Sequence, residues 1–371
     1  KNPFGKPEHA VNKVAVWGAG LMGAGIAMVS AEKGIKVLLK DLDGAAIGRG
    51  QKYIRGELNG KVKRKAMTKF DADKLVSSIA GLTEEDNWGV KFAPRLTSAK
   101  NGPVILTRFT EALGGRPPLM VAGMTPTTVS SQTVAAVSNA GYHVELAGGG
   151  LQGADAFRKA VADVASMTNG GGVTINLLFL DARRWNVQFP LVETMRDQGY
   201  PIEGITVAAG VPSRDRAAGL IDTMLQHGIK HVGFKPGSLD ALKAVADIAR
   251  DSPQMTIIVQ WTGGRAGGHH SFEDVHQPIL EMYAEYRELD NVVLVIGSGF
   301  GDSEGIFPYL TGEWALAFGH PLMPFDGVLM GSRLMVCKEA ETADAVKDRL
   351  VDTPGVDDQA PWERSYESNA G

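Results

Sequence analysis

Cysteine is all but missing from this chain. Its 371 residues hold one, Cys337, which excludes an internal disulfide and a cysteine-based zinc site and fits a reducing compartment. Long apolar runs are missing too. The longest, such as Val173–Leu180, are strand-sized and fall far short of the ~20 residues that span a bilayer. An excess of one charge is also lacking: a net charge of -4 offers no general attraction to nucleic acid or anionic membranes. No secretory leader is visible from Lys1 onward, so a cytoplasmic location is expected, and the stretch reads as cut from something longer. What is present is ordinary for a globular protein, with 44% hydrophobic and 22% charged residues. The length suggests two or three domains. Glycine is plentiful, at 46 residues, and most of it sits where apolar runs end.

The first of these glycine groups has a definite setting. Val14-Ala-Val-Trp17 reads as a strand, Gly18-Ala-Gly20-Leu-Met-Gly23-Ala-Gly25 as a turn, and Ile26–Lys33 as a helix that Gly34 stops. Val37–Lys40 follows as a second strand and ends at Asp41. This is the dinucleotide fingerprint in its strand–turn–helix context. Gly18 permits the tight turn, Gly20 lets the backbone approach a pyrophosphate, and Gly23 lets the helix pack on the strand. Asp41 stands about 20 residues further on, where a carboxylate accepts ribose hydroxyls and favours NAD over NADP. Only two strands of such a fold are readable, and residues 44–80 look largely helical. Near residue 86 the texture changes: Glu84-Glu85-Asp86 is acidic, and Pro94, Gly102 and Pro103 interrupt regular structure. We therefore expect a partial Rossmann-like NAD-binding segment over 1–85 and a separate domain over 86–371.

Eight strand-like runs recur in that second part: Leu119–Ala122, His143–Ala147, Val173–Phe179, Gly204–Ala208, His231–Phe234, Thr256–Gln260, Val292–Ile296 and Phe325–Met330. Helix-like segments such as Ala154–Ala165, Arg214–Gln226 and Leu239–Ala249 lie between them. The runs do not alternate strictly, as parallel strands covered on both faces need not. Eight such units predict an α/β fold of the (β/α)₈ TIM type, with an open doubly wound sheet as the rival.

In such a barrel all strand ends meet at one mouth, where active sites sit. The ends here are Ala122-Gly-Met-Thr125, Ala147-Gly-Gly-Gly150, Asn176, Ala209-Gly210, Lys235-Pro-Gly-Ser238, Gln260 through His270, Gly297-Ser-Gly-Phe-Gly301 and Gly331-Ser-Arg333. The last two follow strands seven and eight, the usual phosphate site of this fold, built from backbone N–H groups and a helix N-terminus. A phosphorylated ligand is expected, and FMN is the economical choice. Asn176, Lys235 and Gln260 are placed to bond a flavin ring, a cation there stabilising its reduced, anionic form. His269 follows Gly267-Gly268 and is the candidate catalytic residue, whereas His270, His276, Glu273 and Asp274 read as scaffold. No metal site is expected.

Two resemblances sharpen these expectations. In Lys1–Leu82, "KNPFGKPEHAV" and "VAVWGAGLMGAGIAMVSAEKGIKVLLKD" resemble the start of the NAD-binding 3-hydroxyacyl-CoA dehydrogenase region of multifunctional β-oxidation proteins. Gly18, Gly20, Gly23 and Asp41 match that family's cofactor positions, but its catalytic His–Glu pair lies in sequence this chain lacks. In Asp86–Tyr366, about three quarters of the chain, "RPPLMVAGMTPTTV", "VELAGGG", "QWTGGRAGGHHSFED", "GSGFG", "YLTGEW" and "MPFDGVLMGSR" resemble the enoyl reductase domain of fungal-type type I fatty acid synthase β-subunits. That resemblance implies bound FMN, NADPH as electron donor, an enoyl thioester on acyl carrier protein as substrate, and a place in a large multienzyme assembly. It assigns His269 to catalysis and Gly123, Met124, Thr125, Gly149, Asn176, Lys235, Gly267, Gly299, Gly301, Gly331 and Ser332 to FMN. The alternatives are an NAD-binding fragment of the dehydrogenase, which would suit a mitochondrial setting, and a composite chain without activity of its own.

Overall fold

The computed structural model describes residues 11–41, 44–82, 88–99, 102–263, 273–297 and 299–353. They divide into two compact units, one within Lys1–Ala93 together with Thr311–Pro324, the other within Pro94–Leu310 together with Phe325–Gly371.

In the first unit, β1 (Lys13–Trp17), β2 (Lys36–Lys40) and β3 (Ile79–Leu82) form a parallel sheet in the order β1-β2-β3. The third strand was hidden in the sequence: four residues after a helix give too short a run to show a period. Helix Leu21–Glu32 buries Ala24, Ala27 and Ala31, small residues that let it lie close against its neighbours. Gly34, at φ +78°, turns the chain out of it. Helices Gly44–Lys63 and Lys69–Ser77 follow, and Ile47, Ile54 and Leu58 join Val37, Leu39 and Ile79 in one apolar core.

The second unit opens with an antiparallel hairpin, β4 (Arg95–Ala99) and β5 (Gly102–Leu106), where the glycine and prolines had suggested no regular element. Pro103 is tolerated there because this is a two-stranded ribbon, each strand an edge, and an edge strand can do without a donor on its open side. Eight parallel strands then close into a barrel, as expected: β6 (Leu119–Val121), β7 (His143–Ala147), β8 (Val173–Leu178), β9 (Ile202–Ala208), β10 (His231–Phe234), β11 (Thr256–Thr262), β12 (Val292–Gly297) and β13 (Gly327–Met330). Helices Gly153–Met167, Arg214–Gln226 and Leu239–Asp251 alternate with them. Ser238 caps the last of these by accepting the Ala241 N–H at 3.2 Å, a contact that stabilises a helix by ~1 kcal/mol.

The barrel interior is divided. One side is apolar, where Met120, Ala122, Ile258, Val293, Val295 and Leu329 pack with Phe109 and Leu113. Phe109 comes from the short helix Arg108–Ala112, just before β6, so its ring plugs the end where the strands begin. A Cβ on Gly327 would lie 2.7 Å from that ring, which explains a glycine at the start of β13. The other side of the interior is polar and carries the candidate site.

Candidate functional site

Glu145 lies on β7, wholly buried, two residues before the strand ends. A lone carboxylate there would take a proton rather than stay charged. This one instead collects donors from five directions. Its Oε2 accepts the Gly123 N–H at 2.8 Å, the Asn176 amide at 2.8 Å and the Lys235 ammonium at 3.0 Å. Its Oε1 accepts the Thr206 hydroxyl at 2.7 Å and the Gln260 amide at 2.5 Å. Burial pushes its pKa up, but Lys235 and the hydrogen bonds from Thr206, Gln260 and Asn176 outweigh that and hold it down at about 2. Glu145 is thus ionised at any neutral pH.

The chain is shaped to permit this. A Cβ on Gly123 would lie 2.6 Å from the Asn176 Cβ, and one on Gly233 would lie 2.7 Å from the Thr206 Oγ1. Glycine at both positions lets β6 and β10 approach the network. Gln260 donates both to Glu145 and, at 3.3 Å, to Thr206. That fixes its amide orientation and leaves its buried Oε1 with no hydrogen-bond partner among the described residues. An orphaned buried acceptor costs ~1–3 kcal/mol, so a donor supplied by a ligand would relieve it.

Nearer the start of the strands is a second polar layer. Thr174 Oγ1 lies 2.7 Å from His231 Nε2 and 3.2 Å from His143 Nε2, and Arg116 pairs with Glu203 beside His143. Burial pushes the His231 pKa down to about 4. Burial, then the neighbouring His231 and Arg116, lower that of His143 well below the ordinary value. Both rings are therefore neutral and structural in place. A Cβ on Gly204 would lie 1.9 Å from His231 Nε2, so this layer also depends on a glycine.

The structure brings together several of the residues expected at the mouth. Gly123, Asn176 and Lys235 meet on Glu145, which the sequence reading missed; a single acidic residue inside an apolar-looking strand was the signal. Thr125, Gly299 and Ser332 are exposed, each beyond the end of its strand. A Cβ on Gly331 would lie 3.5 Å from Met124 Sδ, and one on Gly301 would lie 3.5 Å from Arg333 Nη1. The turns after β6, β12 and β13 therefore converge. Gly149 lies in the turn directly after β7, where an added Cβ would lie 2.8 Å from Leu178 Cδ1 at the end of β8. His269 and Gly267 lie outside the described residues.

The phosphate end differs in detail from expectation. Asp302 Oδ1 accepts the Gly305 N–H at 2.8 Å, so the start of helix Ser303–Thr311 already carries a carboxylate. The available positive charge is Arg333, exposed, beside Gly301, and without an ion-pair partner among the described residues. Glu273 and Asp274 hold scaffold: Glu273 accepts the Leu239 N–H at 3.1 Å, and Asp274 accepts the His276 N–H at 2.8 Å. His276 Nε2 lies 2.9 Å from the Tyr309 hydroxyl.

The first unit has its own concavity, of about 330 Å³, lined by Ala19, Gly20, Asp41, Arg49, Gly50 and Tyr53 among others. Gly18 has φ +96°. A Cβ on Gly23 would lie 1.7 Å from the Gly18 carbonyl oxygen, so only glycine lets this helix start so close to its strand. Asp41 Oδ2 accepts the Ala19 N–H at 2.6 Å, tying the end of β2 to the glycine turn.

Comparison with known proteins finds different relatives for the two ends of the chain. Residues 13–89 match the model of the 3-hydroxyacyl-CoA dehydrogenase NAD binding domain, and residues 256–371 match that of the fatty acid synthase subunit beta/Fas1-like helical family. The fatty acid synthase beta subunit TOXC of Cochliobolus carbonum is 49% identical over 287 residues, 77% of this chain and 14% of that protein. The fatty acid synthase subunit beta of Saccharomyces cerevisiae is 45% identical over 293 residues, 78% of this chain and 14% of that protein. The chain thus spans about one seventh of the length of these relatives. Among solved structures, the enoyl reductase domain of MlnA from Bacillus amyloliquefaciens aligns with a TM-score of 0.47 at 16% identity, over 66% of this chain and 60% of that one. No described helix is long and apolar enough to cross a membrane. The larger part of this chain resembles the fungal fatty acid synthase β subunits, and its N-terminal part resembles the NAD-binding domain of 3-hydroxyacyl-CoA dehydrogenases.

Proposed function

We propose that the barrel binds FMN and reduces trans-2-enoyl thioesters carried on acyl carrier protein, with NADPH as electron donor, as part of a larger fatty acid synthase. The chemistry such a flavin supplies when bound is hydride transfer, in from the nicotinamide and out to the β-carbon of the enoyl thioester. The protein's share is binding, orientation and charge. The residues fit that ligand. Arg333 between the turns at Gly301 and Gly331 offers a cation to a phosphate, and the exposed backbone of Gly299 and Ser332 offers N–H groups. The orphaned Gln260 Oε1 suits a ring N–H, and Lys235 a ring that gains negative charge on reduction. His269 is assigned to the reacting centre, where it hydrogen-bonds the thioester oxygen, protonates the α-carbon, or holds the nicotinamide.

The observation that carries this reading is that one closed parallel barrel holds both an exposed guanidinium beside Gly301 and a buried acceptor, each without a partner among the described residues. The test is turnover. FMN-loaded protein should oxidise NADPH beyond one equivalent per flavin, under exclusion of oxygen, only when a trans-2-enoyl thioester is present, in proportion to the saturated product formed. Flavin-loaded protein that leaves the thioester untouched contradicts it.

For the first unit we propose NAD binding without dehydrogenation. The cavity beside Gly20, with Asp41 at its edge, supports a site for the adenosine half. The three described strands supply half of a dinucleotide fold, so affinity should be weak. Calorimetric titration with NAD should give a Kd on the order of 1 mM, and Asp41→Ala should abolish the heat. Turnover of a 3-hydroxyacyl-CoA with NAD would overturn this reading.

A further inference from the structure

Lys235 and Asn176 do not reach the mouth independently. Each is tethered to the same carboxylate oxygen, Oε2 of Glu145, at 3.0 and 2.8 Å. Gln260 is turned by its bonds to Oε1 of Glu145 and to Thr206, and that turn leaves its own oxygen without a hydrogen-bond partner among the described residues. The three side chains that offer a donor, a cation and an acceptor to a ligand thus take their orientation from one residue. We propose that Glu145 is the positioning residue of the barrel site: its carboxylate aims Lys235, Asn176 and Gln260 and cancels the lysine's charge.

Glu145 cannot act as an acid or base itself. A carboxylate offers about four acceptor positions, and five donors already crowd the two oxygens. Its effect on chemistry therefore passes through its neighbours. The lysine and the carboxylate together sum to zero charge. Without the carboxylate, the lysine would present a full positive charge to a bound ring and favour the reduced, anionic form. Glu145 therefore sets the redox balance of the site lower than Lys235 alone would.

Only the redox half of this inference rests on the FMN reading, so it is tested in two arms. The first uses the full chain without flavin. Lys235 is labelled with acetic anhydride at neutral pH under native conditions and quantified by peptide mass spectrometry. In Glu145→Gln, labelling should rise roughly tenfold, because a flexible lysine side chain no longer held against its carboxylate moves more freely into reach of the reagent. Glu145→Asp keeps the charge on a shorter arm and serves if the glutamine variant does not fold; labelling should rise there as well. Unchanged labelling in a folded variant overturns the proposal. The second arm uses FMN-loaded protein and reads the midpoint potential. Glu145→Gln should shift it upward, Lys235→Met downward, and the double variant should return close to the parent. Shifts in the same direction, or none, contradict the charge-setting role. Failure to take up FMN counts against the proposed function and leaves the labelling arm to decide.

Discussion

The Lys235 ammonium lies 3.0 Å from Oε2 of Glu145, a carboxylate no solvent reaches. The folded pKa of Glu145, about 2, is below its ordinary 4.5, so its contribution to stability is complete above about pH 4.5. It is lost as the pH falls from there towards 2. Glu145→Gln should be less stable than the parent at neutral pH, by about 3 kcal/mol for a broken buried pair, and should lack this loss on acidification. Urea unfolding followed between pH 5 and pH 2, a range chosen about these values, checks both effects. Parallel curves for parent and variant would contradict the assignment.

His231 behaves differently because its folded pKa, about 4, is below the ordinary 6.5 of a base. The unfolded chain then binds the extra proton first, so stability is full above about pH 6.5 and falls as the pH drops towards 4. His231→Gln cannot take up that proton. Its stability should fall less steeply in this window, by up to about 1.4 kcal/mol per pH unit. Chemical unfolding at a series of pH values measures the slope, and an unchanged slope would mean that His231 is already charged in the fold.

Gly23→Ala should destabilise the first unit by about 3 kcal/mol, since the added methyl group meets the Gly18 carbonyl oxygen, a backbone atom that cannot swing aside. The barrel should keep its own melting transition. Calorimetry should show the first unit's transition move down and the barrel's stay; a melt identical to the parent's would show that the glycine turn relaxes freely.

How far these features could be read from the sequence depends on their range. His143–Ala147, His231–Phe234 and helix Arg214–Gln226 were legible to the residue, because each is a mainly apolar or helically periodic run closed by a turn. β3 and the hairpin of β4 and β5 were not, because short edge strands carry little period and Pro103 argues against a strand from sequence alone. Asn176 and Lys235 could be placed at the mouth from their position at strand ends. Glu145 could not, because its role arises from partners on five separate elements, up to 115 residues away in the case of Gln260. Arg333 was visible only as part of a turn; that no described residue pairs with it is a property of the fold.

The proposed roles of the two adjacent histidines separate under substitution. His269→Ala should keep the flavin and lose about 10²–10⁴ in enoyl thioester reduction, as removal of a positioned donor or acid does. His270→Ala should lose less rate and more stability. Flavin content, turnover and thermal melting of both variants decide. Near-normal turnover in His269→Ala with loss in His270→Ala would reverse the assignment.

The visible absorption spectrum of the full chain, before and after incubation with FMN, is the most direct test of a flavin barrel. The protein should take up FMN noncovalently and in equimolar amount, release it on heating as FMN rather than FAD, and bind it more weakly when Arg333 is replaced by alanine. A protein that stays colourless after incubation with FMN contradicts the flavin assignment and the reductase activity that depends on it.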